Sequence, residues 1–142
     1  MAEPIKIVID TNVLVAAFRS SRGAANRLLM DIDDPQFEVA VSIPLLFEYE
    51  EVLKRPEMCE FISHKEVDTA IEDIRSIARK YEIFFLWRIL ASDPDDAFIL
   101  ELAVRSKAEY IITYNPKDFA SAASFDIKLI SPRDFLDLIK QK

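Results

Sequence analysis

The chain has one glycine, Gly23, in 142 residues. A phosphate-cradling P-loop and a dinucleotide-binding turn each need several glycines at fixed spacing, so both are excluded. One cysteine, Cys59, leaves no internal disulfide and suits a reducing compartment. One histidine, His64, argues against a His-ligated zinc site and against a Ser–His triad. No apolar run approaches the ~18–20 residues that a membrane span needs. Met1-Ala2-Glu3-Pro4 leads straight into an apolar segment, without the basic start or cleavable apolar stretch of a secretory signal. Together these absences predict a cytoplasmic protein. Positive charge is also scarce: 18 basic residues face 25 acidic ones, a net charge of −7. Bulk charge therefore does not draw this chain to nucleic acid, and a polyanionic substrate would need local basic residues or a bridging cation.

What is present reads as one α/β domain spanning 1–142, with 51% hydrophobic residues and enough length to bury a core. Ile5-Lys6-Ile7-Val8-Ile9 is a β-branched run suited to a strand buried on both faces, and it ends abruptly in Asp10-Thr11-Asn12. Asn12 is the expected N-cap of a helix from Val13 to Phe18, and Ala24 to Met30 suits a second helix. Phe37–Val41 is the second strand, and Ser42 caps a helix from about Pro44 to Arg55, stopped by Pro56. Ser63-His64-Lys65-Glu66 is a capping box. It opens a long helix whose apolar residues recur at helical spacing as far as Tyr81. Ile83–Leu86 is the expected third strand, followed by a helix from Pro94 to Ser106 and a fourth strand at Tyr110–Thr113. A loop from Tyr114 to Asp126 leads to a fifth strand at Ile127–Ile130, and Ser131-Pro132 opens the last helix. Strands alternating with helices imply a parallel sheet covered on both faces.

Ligands of such a sheet collect outside the carboxyl ends of its strands, which is where Asp10 stands. Aspartate also simply turns chains, and for Asp10 alone both readings are open. Glu48 lies on or beside the apolar stripe formed by Leu45, Tyr49, Val52 and Leu53. A glutamate there either has a partner or bends out to solvent. Asp96 precedes Ile99, Leu100 and Ala103 at the same spacing, but Asp93-Pro94-Asp95-Asp96 is also an ordinary helix start. Asn115-Pro116-Lys117-Asp118 and Ser131-Pro132-Arg133-Asp134 repeat that pattern, so no single copy argues for catalysis. The acids mean more as a set. Carboxylates ~4 Å apart repel by ~1 kcal/mol per pair in water and ~4 kcal/mol at an effective dielectric of 20. Gathered together they must protonate in part or bind a cation, and hard oxygens select Mg²⁺ or Mn²⁺ over zinc.

Four short segments in this order resemble the PIN domain family, including the VapC-like toxin ribonucleases of toxin–antitoxin pairs. They are Val8–Leu14; Ser42–Tyr49 with Val52–Pro56; Asp93–Leu100 with Ala103; and Thr113–Phe119. The resemblance implies a three-layer α/β/α fold on a five-stranded parallel sheet, with the acids at its carboxyl edge. It implies Asp10, Glu48, Asp96 and Asp118 as metal ligands and catalytic residues, with Thr113 and Asn12 holding the acids or the attacking water. Where the family often has an acid, this chain has Asn115, which offers a neutral oxygen and leaves the number of metals open. The implied activity is Mg²⁺- or Mn²⁺-dependent hydrolysis of RNA, with Arg19, Arg22 and Lys117 as candidates to meet flanking phosphates. An antitoxin partner and a homodimer are implied as well. A catalytically weak or inactive PIN-like binding module is the alternative. Phosphoryl transfer through Asp10 is disfavoured, because Asn12 stands where that chemistry needs a second acid.

Overall fold

The computed structural model describes residues 3–83 and 94–140, the side chains of 94–96 excepted. In chain order the elements are β1 (Ile5–Ile9), α1 (Thr11–Arg19), α2 (Ala24–Met30), β2 (Phe37–Val41), α3 (Ile43–Leu53), α4 (His64–Ile77) and β3 (Arg79–Lys80). They continue with α5 (Pro94–Ser106), β4 (Tyr110–Ile112), β5 (Lys128–Ile130) and α6 (Pro132–Lys140). A short 3₁₀ turn at Pro56–Met58 links α3 to α4, and a longer 3₁₀ run at Pro116–Phe125 links β4 to β5.

The five strands form one parallel sheet in the order β3-β2-β1-β4-β5, flanked by helices in a three-layer α/β/α arrangement. β1 is central because its side chains can be buried on both faces. Ile7, Val8 and Ile9 are at most 2% exposed, and each such burial stabilises the fold by ~1.5–3 kcal/mol. On one side β1 pairs with β2, Ile7 opposite Val39; on the other it pairs with β4, Ile9 opposite Ile112. From β1 the chain builds outward through β2 and β3, then returns to add β4 and β5 on the other side. The strand order therefore reverses between β1 and β4, and the crevice beyond their carboxyl ends is the switch point where open α/β sheets bind ligands. Phe135 of α6 packs edge-on against Phe37 and Tyr110, tying the last helix to the sheet.

Several expected boundaries move, each for a local reason. Helix α1 starts at Thr11 with Asp10 in the cap position, so Asn12 is helical and is not its N-cap. The α4 helix ends at Ile77 rather than near Tyr81, because Arg79 and Lys80 pair with Ala40 and Val41 and the Tyr81 N–H donates to the Val41 carbonyl, at 2.9 Å. Backbone pairing to an open sheet edge there outweighs the helical period of the side chains. The third strand is thus Arg79–Lys80, and of the Ile83–Leu86 expected for it, residues 84–86 lie outside the described residues. The expected loop after β4 is the 3₁₀ run, bent at Phe119, whose ring is buried along with Ala122. Among the described residues no helix is long and apolar enough to cross a membrane.

Candidate active site

Asp10 closes β1, and its N–H still joins the ladder to β4 by donating to the Ile112 carbonyl at 2.9 Å. The next residue of β4's chain is Thr113, so the two side chains meet across the switch point. The Thr113 hydroxyl donates to Asp10 Oδ2 at 2.7 Å and accepts the Asn115 N–H at 2.9 Å, which fixes both its proton and its lone pair. Both residues are buried, Asp10 at 6% and Thr113 at 3% exposure. Burial pushes the Asp10 carboxyl above the ordinary carboxylate value; hydrogen bonds from the Thr113 hydroxyl and the Thr11 N–H pull it back, and the charge of Asp118 pushes it up again.

Glu48 comes from the second turn of α3. The Ser42 hydroxyl sets where that helix begins by accepting the Leu45 N–H at 3.2 Å, with Pro44 in the first turn. The carboxylate is half-buried and accepts a hydrogen bond from the hydroxyl of Thr11, the residue after Asp10. Tyr49 follows it into the core at 1% exposure and donates its hydroxyl to the Ile9 carbonyl, pinning α3 to the end of β1. The phenol is held well above its usual range by burial, then by the negative charges of Asp10 and Glu48. Asp118 stands half-buried in the 3₁₀ run, where its N–H donates to the Asn115 carbonyl at 3.1 Å.

The fold thus draws Asp10, Glu48 and Asp118 to the carboxyl edge between β1 and β4. The backbone of Asp96 lies in the first turn of α5, and its side chain lies outside the described residues. Asn115 is exposed. The donor chemistry fits a hard divalent cation, since the acids offer oxygens and no histidine or cysteine is among them. Among the described residues, however, no three acids, histidines or cysteines stand close enough to ring a metal ion.

Two site residues escape a reading of the sequence alone. Thr11 looks like part of a turn, and Tyr49 looks like one more member of an apolar stripe. The available signal for Tyr49 is that a buried phenol needs an acceptor. Arg19, by contrast, lies farther from the acids than its place in the chain suggests. It ends the nine-residue α1, about 12 Å along the axis from Thr11, and its guanidinium lies over the ring of Phe61 at 5.3 Å. Lys117 is exposed directly beside Asp118.

A family model described as PIN domain matches residues 6–117, from β1 to the residue before Asp118. The fold is similar to that of VapBC2 from Rickettsia felis, solved bound to a DNA fragment from their promoter. The two chains are 14% identical, with 89% of this chain and 98% of that chain covered and a TM-score of 0.61. It is also similar to VapBC-1 from nontypeable Haemophilus influenzae, at 15% identity, 91% and 99% coverage and a TM-score of 0.59. No curated protein sequence matches the chain. Likeness at those identities carries the fold; the family-model match, which includes the strand-end acid and the helix bearing Glu48, establishes that the chain belongs to the PIN domain family.

Proposed function

We propose that the chain is a metal-dependent endoribonuclease and the toxin member of a toxin–antitoxin pair. PIN domains are in general nucleases that use divalent metal ions. The observation that carries the reading is Asp10: a buried carboxylate, held by Thr113 at the switch point, within the electrostatic reach of Asp118 and one residue from the hydroxyl that Glu48 accepts. Asp10, Glu48, Asp96 and Asp118 are the ligands proposed for Mg²⁺ or Mn²⁺. Bound there, such an ion supplies Lewis acidity toward the scissile phosphate and the attacking water. Glu48, tethered to Thr11, orients that water and accepts its proton. Thr113 keeps Asp10 in one rotamer, and Lys117 meets the adjoining phosphate. Arg19 closes α1 with its guanidinium over the Phe61 ring, and Arg22 lies in the turn that follows, so Lys117 is the cation assigned to the neighbourhood of the scissile group.

The purified protein is expected to cleave RNA with Mg²⁺ or Mn²⁺ and not with a chelator. Asp10→Asn and Glu48→Gln are expected to lose activity by about a hundredfold or more. Equal cleavage by wild type and both variants would identify a contaminating nuclease and end the assignment. Calorimetric titration with Mn²⁺ separates the enzyme from an inert binding module, which would bind no metal at millimolar concentration.

The partner reading rests on the VapBC neighbours, one of them solved on promoter DNA. A small antitoxin would block the acidic edge, and a gene encoding it is expected immediately upstream. Co-expression of that gene should relieve growth arrest by the toxin; failure to relieve it would leave a solitary nuclease. A homodimer belongs to the same proposal, and light scattering of the purified chain decides it.

A further inference from the structure

A cleft of about 300 Å³ opens beside the acids, between the ends of β4 and β5. Leu129, Ile130 and Pro116 give it apolar lining, and Tyr114, Ser131 and Asp134 line it with polar or aromatic groups. Thr113, whose hydroxyl holds Asp10 at 2.7 Å, also lines it, so the cleft adjoins the proposed reacting centre. Tyr114 is 46% exposed, a large aromatic left uncovered next to that centre. Its backbone is fixed on both sides. The Tyr114 N–H faces Asn12 Oδ1 at 3.5 Å, and the Asn115 N–H is held by Thr113 Oγ1 at 2.9 Å. One hydroxyl therefore positions both the acid and the turn that presents the ring.

The lining also says what the cleft would accept. It contains no lysine or arginine, and its single charged group is the exposed Asp134 carboxylate, so a phosphate would be repelled. A flat, uncharged group that carries hydrogen-bond donors fits instead. Nucleobases of single-stranded RNA have that chemistry, because unstacked bases bind on aromatic faces and are read at their edges. We propose that this cleft binds the nucleobase of the nucleotide flanking the scissile phosphate, stacked on Tyr114, with Asp134 accepting an amino or imino N–H from its edge. The proposal rests on the ribonuclease reading and adds a determinant of base preference to it.

Steady-state cleavage of single-stranded RNA by Tyr114→Ala is expected to show KM raised about tenfold or more with kcat within about threefold, the cost of one lost base stack. Tyr114→Phe keeps the ring and should behave as wild type, and Asp134→Asn should weaken the preference for bases that bear an amino group. An unchanged KM in Tyr114→Ala would overturn the proposal. A binding measurement keeps it apart from the nuclease reading. A single-stranded RNA trinucleotide is titrated, in chelator so that metal-dependent hydrolysis is stopped, into protein with ¹³C-labelled tyrosine rings. A shift of the Tyr114 ring that disappears when the central base is removed supports the cleft, even if no RNA is ever cut. Absence of any shift at millimolar trinucleotide overturns it, even in an active nuclease.

Discussion

The ionisation of Asp10 depends on two donors. Burial raises its carboxyl, whereas the Thr113 hydroxyl and the Thr11 N–H lower it. Thr113→Val removes one of those donors at nearly constant shape, so Asp10 will ionise only at higher pH. The rising limb of the pH–rate profile is expected to move to higher pH, with activity at neutral pH down by about tenfold. A limb that stays in place would mean another group controls it. The same shift carries a stability sign. A carboxyl raised by folding contributes stability in full below its ordinary value of 3.8, and that contribution is lost as pH rises through the folded pKa. At neutral pH the ionised, metal-free Asp10 therefore opposes folding. Asp10→Asn is expected to raise the Tm of the metal-free protein by about 3 °C, the effect of ~1 kcal/mol in a domain of this size. The difference should close as pH falls toward 3.8. Mn²⁺ is expected to reverse the order: at ten times its Kd, binding would stabilise the wild type by ~1.4 kcal/mol and leave Asp10→Asn unmoved. Thermal scans with and without metal check both signs.

At the scale of elements, α3 carries the second acid, and its starting point sets where that acid lands. Ser42→Ala deletes the buried hydroxyl that accepts the Leu45 N–H. A loss of ~1–2 kcal/mol in urea unfolding is expected. Activity of the folded protein should stay within about threefold, because Thr11 and the bond from Tyr49 to Ile9 still hold the second turn. A much larger activity loss would mean that the cap, not those tethers, places Glu48. The beginnings of α3 and α4 were legible in the sequence because capping is local chemistry, whereas α1 begins at Thr11, one residue before the expected Asn12 cap. Ser42 with Pro44 announced α3, and the Ser63–Glu66 box announced α4 and is formed in both directions. Ends were less legible. Nothing between Ile77 and Tyr81 signals that Arg79 and Lys80 leave the helix, since the cause is an unpaired edge of β2 far away in sequence. Arg19 stands away from Asp10 for a related reason: a helix of nine residues carries its last side chain away from its first.

Over the whole molecule, charge and topology act in opposite senses on a polyanion. A net charge of −7 repels RNA at long range, and in the described edge the exposed cation beside the acids is Lys117. RNA binding should therefore depend only weakly on monovalent salt. With one or two phosphates neutralised by side chains, affinity falls by less than about tenfold between 50 and 200 mM, against the ~10³-fold or more of a protein with six or more such contacts. A steep slope in a filter-binding series would mean that a basic surface away from the acidic edge carries the binding. Binding in chelator is expected to be weaker still, because a divalent ion held by Asp10, Glu48 and Asp118 would offset their charge toward a phosphate.

The sequence by itself determined the class of the fold and the first acid. A β-branched run that can be buried on both faces must be a central strand, and a carboxylate at its end lies where parallel sheets bind their ligands. Composition alone excluded P-loop and dinucleotide chemistry and made His-ligated zinc and triad hydrolysis improbable. Which groups meet that acid was decided only by the tertiary structure. Thr113 lies 103 positions from Asp10, and Glu48 lies 37 from Thr11, so no local pattern could pair them. The reversal of strand order between β1 and β4 brings Thr113 to Asp10, and the packing of α3 against α1 brings Glu48 to Thr11. Long-range register brings together residues that read, one at a time, as turns and caps.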